Sequence, residues 1–198
     1  MSRLGYVLVT LLAVELFVAL FVGVAVLKPH RRFVWNASAS VPVGLYRLHR
    51  ADAVRVGDIL AVAPPPAVAR FLAARRYLPD GLPLMKPVAA LPGQRVCRTG
   101  VVVTVDGRLL GVARARDQAG RALPVWRGCR TVAADELFLM NPAEPDSLDG
   151  RYFGVTPKRA VLGRAVPLLT RDAPGRPLVW RGFAARTSLR NRQRKASP

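Results

Sequence analysis

The 198-residue chain has two cysteines, two histidines and twelve acidic residues. Two cysteines cannot furnish a four-thiolate zinc site or a disulfide-dense scaffold, and two histidines argue against a multi-histidine metal centre. Lysine is also scarce: of 31 basic residues only Lys28, Lys86, Lys158 and Lys195 are lysine, the rest arginine. In such a chain each lysine draws attention, above all one away from an obvious surface. The formal charge is +19, yet no helix-turn-helix, zinc-finger or RNA-recognition signature accompanies it, so sequence-specific nucleic-acid binding has no support. Just over half the residues, 51%, are hydrophobic, which excludes disorder of the whole chain. The length suits one domain with a short appendage.

A long apolar run opens the chain. Residues 5–27, GYVLVTLLAVELFVALFVGVAVL, are long enough as a helix to cross a hydrocarbon core of about 30 Å. A cleaved signal peptide has an apolar core of about 7–15 residues followed by a small-residue cleavage site; this run is longer, and Lys28-Pro29-His30-Arg31-Arg32 follows it. Residues 1–32 therefore read as an uncleaved membrane anchor in the lipid bilayer. Glu15 sits mid-span, where an ionisable group costs about 3 kcal/mol on insertion scales; it is either a tolerated, protonated carboxyl or a contact to another membrane helix. Charge alone places the following domain in the cytoplasm, since Lys28, Arg31 and Arg32 outnumber Arg3 and the amino terminus. Cys97 and Cys129 point the other way, because a lone pair of cysteines in an exported domain is commonly a disulfide.

Residues 33–170 read as mostly β: VGLYRLHR, VGDILAVAP, VVVTVDGRLLGVA, ELFLMN and AVLGRAVPLL are short strand-like runs bounded by turn residues. VTVDGRLLG predicts a hairpin turning on Asp106-Gly107. After Pro64-Pro65-Pro66, the run AVARFLAARRYL puts Val68, Phe71, Leu72 and Leu78 at near-helical spacing, which predicts a short amphipathic helix among the strands. Residues 171–198 carry the shift to a basic, flexible tail with one acidic residue, Asp172. Trp180 and Phe183 among its arginines suit a membrane interface with anionic headgroups.

Three segments could carry chemistry. Asn36-Ala37-Ser38-Ala39-Ser40-Val41-Pro42-Val43-Gly44 holds two serines in an i, i+2 pair and, taken alone, is equally a turn. Leu84-Met85-Lys86-Pro87-Val88-Ala89-Ala90-Leu91-Pro92-Gly93 sets a lysine in an apolar strand. Burial there lowers the amine's pKa toward neutrality, so that it can take a proton from a serine hydroxyl; an edge-strand lysine facing solvent is the plain alternative. Asn141-Pro142-Ala143-Glu144-Pro145-Asp146-Ser147-Leu148-Asp149-Gly150-Arg151-Tyr152-Phe153-Gly154 is a polar loop entering an aromatic strand; its Ser-x-Asp-x-Arg can form a local ion pair and hydrogen-bond network, which is equally a purely structural feature. The competing Ser-His-Asp arrangement has only His30 and His49 to draw on, neither within a motif.

In order and content the three segments together resemble the signal peptidase I-like serine peptidases, the S26 family, most closely its conjugal transfer peptidase TraF subgroup. Ser40-Val41-Pro42-Val43-Gly44-Leu45-Tyr46, Tyr77-Leu78 ahead of Leu84-Met85-Lys86, Arg151-Tyr152-Phe153-Gly154 and Val161-Leu162-Gly163-Arg164-Ala165 carry the likeness, which covers about residues 5–168. It implies a signal peptidase-like β catalytic domain, with Ser40 as nucleophile and Lys86 as general base, without metal or organic cofactor. Ser38 would belong to the oxyanion hole; Ser147 would orient the lysine, and Asp149 and Arg151 would brace their loop. Gly150 departs from the serine of the general family box. The resemblance also implies a domain on the periplasmic side of the bacterial inner membrane, against the charge rule, and there a disulfide between Cys97 and Cys129. The implied partner is a membrane-tethered precursor protein such as a pre-pilin, cleaved and possibly cyclised, together with components of a conjugation or secretion apparatus. A general type I signal peptidase is the alternative within the class. A non-enzymatic membrane component of such an apparatus is the alternative outside it.

Overall fold

The computed structural model describes residues 2–27, 32–173 and 175–183; Lys28, His30 and the end of the basic tail lie outside them. Two units are distinct. The first is helix α1 (Arg3–Leu27), 25 residues with no buried side chain, about 37 Å long and apolar enough to cross a membrane. Thr10 returns its hydroxyl to the Tyr6 carbonyl at 2.9 Å, which satisfies that donor within the helix.

The second unit is mostly β. Its elements run β1 (Phe33–Asn36), β2 (Gly44–His49), β3 (Ile59–Val62), α2 (Pro66–Ala74), β4 (Leu84–Ala90), β5 (Arg95–Thr99), β6 (Val102–Val105), β7 (Arg108–Val112), β8 (Gly128–Thr131), β9 (Glu136–Leu139), α3 (Gly150–Phe153), β10 (Thr156–Pro157), β11 (Val161–Thr170) and β12 (Val179–Trp180). The larger sheet has the order β1-β2-β11-β3-β4-β9-β10, with β12 added to β11; the smaller has the order β7-β6-β5-β8. All the strand pairs are antiparallel. Each strand-like run of the sequence contributes at least one of these strands.

The predicted hairpin is β6–β7, with Asp106 and Gly107 at φ 50° and 76°. The predicted helix is α2, with Pro66 in its first turn, but it stops at Ala74, short of Leu78. Arg76 takes φ 58°, its N–H returns to the Ala73 carbonyl, and that of Tyr77 returns to Leu72. This paired closure ends the helix through a left-handed residue that is not glycine.

Two features place the site. Strand β4 lies between β3 and β9, so every residue from Met85 to Ala90 is buried. The loop between β1 and β2 lies beside it, sharing a core cluster in which Val41, next to Ser40, packs with Tyr46, Ile59, Ala61, Ala165 and Met85, next to Lys86. Gly44 closes that loop at φ 146°, where a Cβ would stand 2.0 Å from the Leu169 carbonyl oxygen. The glycine of the serine segment is thus demanded by the approach of β11.

Within the basic tail of the sequence reading, β12 pairs with the end of β11, and the Trp180 and Phe183 rings meet edge to face at 5.2 Å.

Candidate active site

The loop that follows β1 is organised by Asn36, a buried side chain. Its Nδ2 donates to the carbonyls of Ser38 (2.7 Å), Val41 (3.0 Å) and Pro42 (3.2 Å), and its Oδ1 accepts from the Ser38 N–H (3.2 Å) and hydroxyl (3.0 Å). Tyr46 Oη adds a bond to the Pro42 carbonyl at 2.6 Å. Ser38 and Ser40 hydroxyls stand 2.8 Å apart. Because the single hydroxyl hydrogen of Ser38 is directed to Asn36, Ser40 is the donor of that pair. Ser40 Oγ also lies 3.5 Å from the Met85 carbonyl, one residue before Lys86. Ser40 is half-buried and Ser38 exposed, so the hydroxyl pair is open to an incoming molecule.

Lys86 is only 4% exposed and donates from Nζ to Ser147 Oγ at 2.9 Å. Burial is the main reason its pKa falls from 10.5 to about 8; Asp149 and Glu144 oppose that shift, and Arg151 adds to it. The edge-strand alternative is thereby excluded. Ser40 and Lys86 share no hydrogen bond among the described residues, although their loop and strand adjoin.

The third segment is a buried polar knot. Asp149 and Arg151 form an ion pair at 2.8 Å with side chains 0% and 1% exposed. Burying two charges is costly unless every remaining donor and acceptor is satisfied, and here they are. Asp149 accepts from the Asn141 and Arg151 N–H groups. Arg151 donates to the carbonyls of Asn141, Glu144, Pro145 and Val112. The loop from Asn141 to Ser147 is thus wrapped around one guanidinium, which sets Ser147 under the lysine.

Two contributors had no role assigned to them from the sequence. Asn141 donates from Nδ2 to the Ser40 carbonyl at 2.7 Å and so ties this loop to the serine loop. Arg98 on β5, 2% exposed, donates to the Arg151 carbonyl and lies 5.9 Å over the Tyr152 ring. The asparagines carried a readable signal, since Asn36 precedes a Ser-x-Ser turn and Asn141 precedes a proline; Arg98 had none. Cys97 and Cys129 form a disulfide between neighbouring strands β5 and β8 of the smaller sheet. His49 contributes nothing to the constellation: its Nε2 is buried without a partner. His30 lies outside the described residues.

Residues 4–169 match a family described as signal peptidase, peptidase S26; the segment beyond Leu169 is not part of that match. The chain is 37% identical over 145 residues to a probable conjugal transfer protein TraF of Sinorhizobium fredii, covering 68% of this chain and 76% of that protein. It is 35% identical over 147 residues to the conjugal transfer protein TraF of Agrobacterium fabrum, covering 69% and 82%. Among solved structures, a signal peptidase I from Enterococcus faecalis aligns with a TM-score of 0.33 at 20% identity, over 57% of this chain and 97% of that one.

Proposed function

Because the chain belongs to the signal peptidase family, peptidase S26, we propose that it is a membrane-anchored serine endopeptidase working through a Ser40–Lys86 dyad. The observation that carries this reading is the environment of Lys86. A buried amine with its pKa drawn down to about 8, held by Ser147, is a competent general base near neutral pH. The loop beside it offers an accessible serine.

In the free enzyme Ser40 Oγ rests near the Met85 carbonyl. A small swing toward Nζ in the substrate complex is the tightening expected when a substrate arrives. Ser40 Oγ then attacks a peptide carbonyl carbon while its proton passes to Lys86. The Ser40 N–H and the Ser38 hydroxyl, turned away from Asn36, hold the developing oxyanion. Lys86 returns the proton to the leaving amine, and an ester to Ser40 remains. Water, activated by the same amine, hydrolyses it; in a cyclising reaction a free amino group of the acyl chain attacks instead.

The relatives in conjugal transfer support an exported, membrane-tethered precursor such as a pre-pilin as substrate, with the transfer apparatus as the setting. The α1 anchor and the Cys97–Cys129 disulfide support a single-pass protein of the inner membrane whose catalytic domain faces the oxidising periplasm.

The test is intact-mass spectrometry of pilin-like subunits from cells carrying the wild type or Ser40→Ala. A defined fragment lost only with the wild type supports the peptidase, and a mature mass lower by one further water supports cyclisation. Identical subunit masses in both strains, with Ser40→Ala folded and inserted, overturn the reading of a pilin-processing peptidase.

A further inference from the structure

An open cleft of about 820 Å³ runs along the serine loop. Ala39 and Val41, on either side of Ser40, line it, as does Pro87, next to Lys86. These are small or apolar groups. The cleft is completed by Arg171, Asp172 and Ala173, which lie beyond the part of the chain shared with the family.

That segment is fastened in place. The Arg171 N–H donates to the Val43 carbonyl of the serine loop at 2.9 Å. Arg181 donates to Thr170 Oγ1 at 3.2 Å and pairs with Asp172 at 2.6 Å, while β12 holds the returning chain against β11. Asp172 is thereby neutralised. Arg171 has no carboxylate partner among the described residues and is exposed. One other charged side chain, Glu144, lines the cleft.

Resting on the reading of Ser40 as the nucleophile, we propose that Arg171, Asp172 and Ala173 form a specificity wall of the peptide cleft, and that Arg171 selects an acidic side chain in the bound precursor. A guanidinium offers a fork of donors matched to a carboxylate. Placed at the rim of a largely apolar cleft, it adds charge selection to a surface that otherwise offers mainly apolar contact. Because the rim is open to water, the preference is moderate. Arg181 acts as a positioning residue, holding Asp172 and the end of β11 so that Arg171 faces the cleft.

The test separates binding from chemistry. Alanine-rich extended peptides carrying Asp or Lys at one position are titrated, by fluorescence anisotropy, into the full-length detergent-solubilised protein with Ser40→Ala, which cannot turn them over. The expected result is a preference for Asp of about threefold at one position, the size of an exposed ion pair, inverted by adding Arg171→Glu and weakened by Arg181→Gln. An unchanged Asp-to-Lys ratio in the Arg171→Glu protein overturns the proposal, as does a preference for Lys with Arg171 intact, which would assign charge reading to Glu144. Cleavage of the same peptides by the wild type, absent with Ser40→Ala, tests the underlying peptidase reading separately.

Discussion

The side-chain amide of Asn141 donates to the backbone carbonyl of Ser40 at 2.7 Å. The backbone of the same asparagine is held from both ends, its N–H by Asp149 and its carbonyl by Arg151. The loop that sets Ser147 under Lys86 therefore also sets the serine loop, and one ion pair positions both halves of the proposed dyad. Asn141→Ala leaves the Ser40 carbonyl without this donor and frees the loop. An unmade bond of this kind costs about 1–3 kcal/mol of stability, so the thermal midpoint should fall by about 2–10 °C, and the loosened serine loop should lower kcat about ten- to a hundredfold with KM little changed. Steady-state kinetics on a cleavable peptide decides: a change confined to KM would show that Asn141 serves binding rather than dyad geometry.

Ser147 is the one hydrogen-bond partner recorded for the Lys86 amine among the described residues. Ser147→Ala removes the acceptor that orients it, and kcat should drop by at least about tenfold. Ser147→Thr keeps the hydroxyl and should recover most of the loss. If alanine and threonine variants are equally impaired, the side chain matters for packing rather than for its hydroxyl.

Much of this constellation was legible in the sequence, for identifiable reasons. A lysine amid Leu84, Met85, Pro87 and Val88 can only be a buried lysine if the run is an inner strand, and apolar residues at successive positions announce one. The Asp149–Arg151 pair sits two residues apart, and local sequence could suggest it. Neither the Asn141 bond to Ser40, across 101 residues, nor the Arg98 bond to the Arg151 carbonyl, across 53 residues, has any local signature. Such contacts join elements distant in sequence that only the tertiary fold brings together, which a single sequence does not encode legibly. The same holds for the end of α2: apolar spacing continued to Leu78, but closure through Arg76 in a left-handed conformation ended the helix first. The pairing of β12 with β11 was hidden by a composition that reads as solvated tail.

Gly150 replaces a serine of the general family box, and its surroundings explain why a side chain is excluded. A Cβ there would lie 2.7 Å from the Leu139 carbonyl oxygen and 2.8 Å from the Phe138 ring. The Gly150 carbonyl is also taken by the Trp126 indole N–H at 2.9 Å. Gly150→Ser should therefore destabilise the protein by about 1–3 kcal/mol through overpacking and lower activity instead of improving it. Chemical denaturation of the two proteins measures this; equal midpoints would mean that β9 and α3 yield more easily than their packing implies.

The Cys97–Cys129 bridge joins residues 32 apart in sequence across paired strands. Closing a loop of that length stabilises a fold by about 2–4 kcal/mol. Reduction, or the Cys97→Ser/Cys129→Ser double variant, should lower the thermal midpoint accordingly. Peptidase activity at low temperature should persist, because the bridge touches neither Ser40 nor Lys86. Activity lost without unfolding would instead implicate Arg98, the neighbour of Cys97, in carrying the change to Arg151 through its bond to the Arg151 carbonyl.

Lys86 links activity and stability to pH in a way that separates its two roles. In the proposed role of general base it must be neutral, so kcat/KM should rise about tenfold per pH unit through the acid limb and level off above about pH 8, where its lowered pKa lies. Stability follows from the same shift. Between about pH 8 and 10.5 the unfolded chain holds this proton and the folded chain does not, so this group's contribution to stability rises with pH across that window. Below pH 8 both states are protonated and the burial penalty is constant, about 3 kcal/mol from the size of the shift. Lys86→Met fills a similar volume without charge. It should abolish cleavage while raising the thermal midpoint at pH 6–7, with the gain shrinking toward pH 10.5. An inactive variant that is less stable than the wild type at pH 6 would mean that the lysine's bond to Ser147 outweighs the cost of burying its charge.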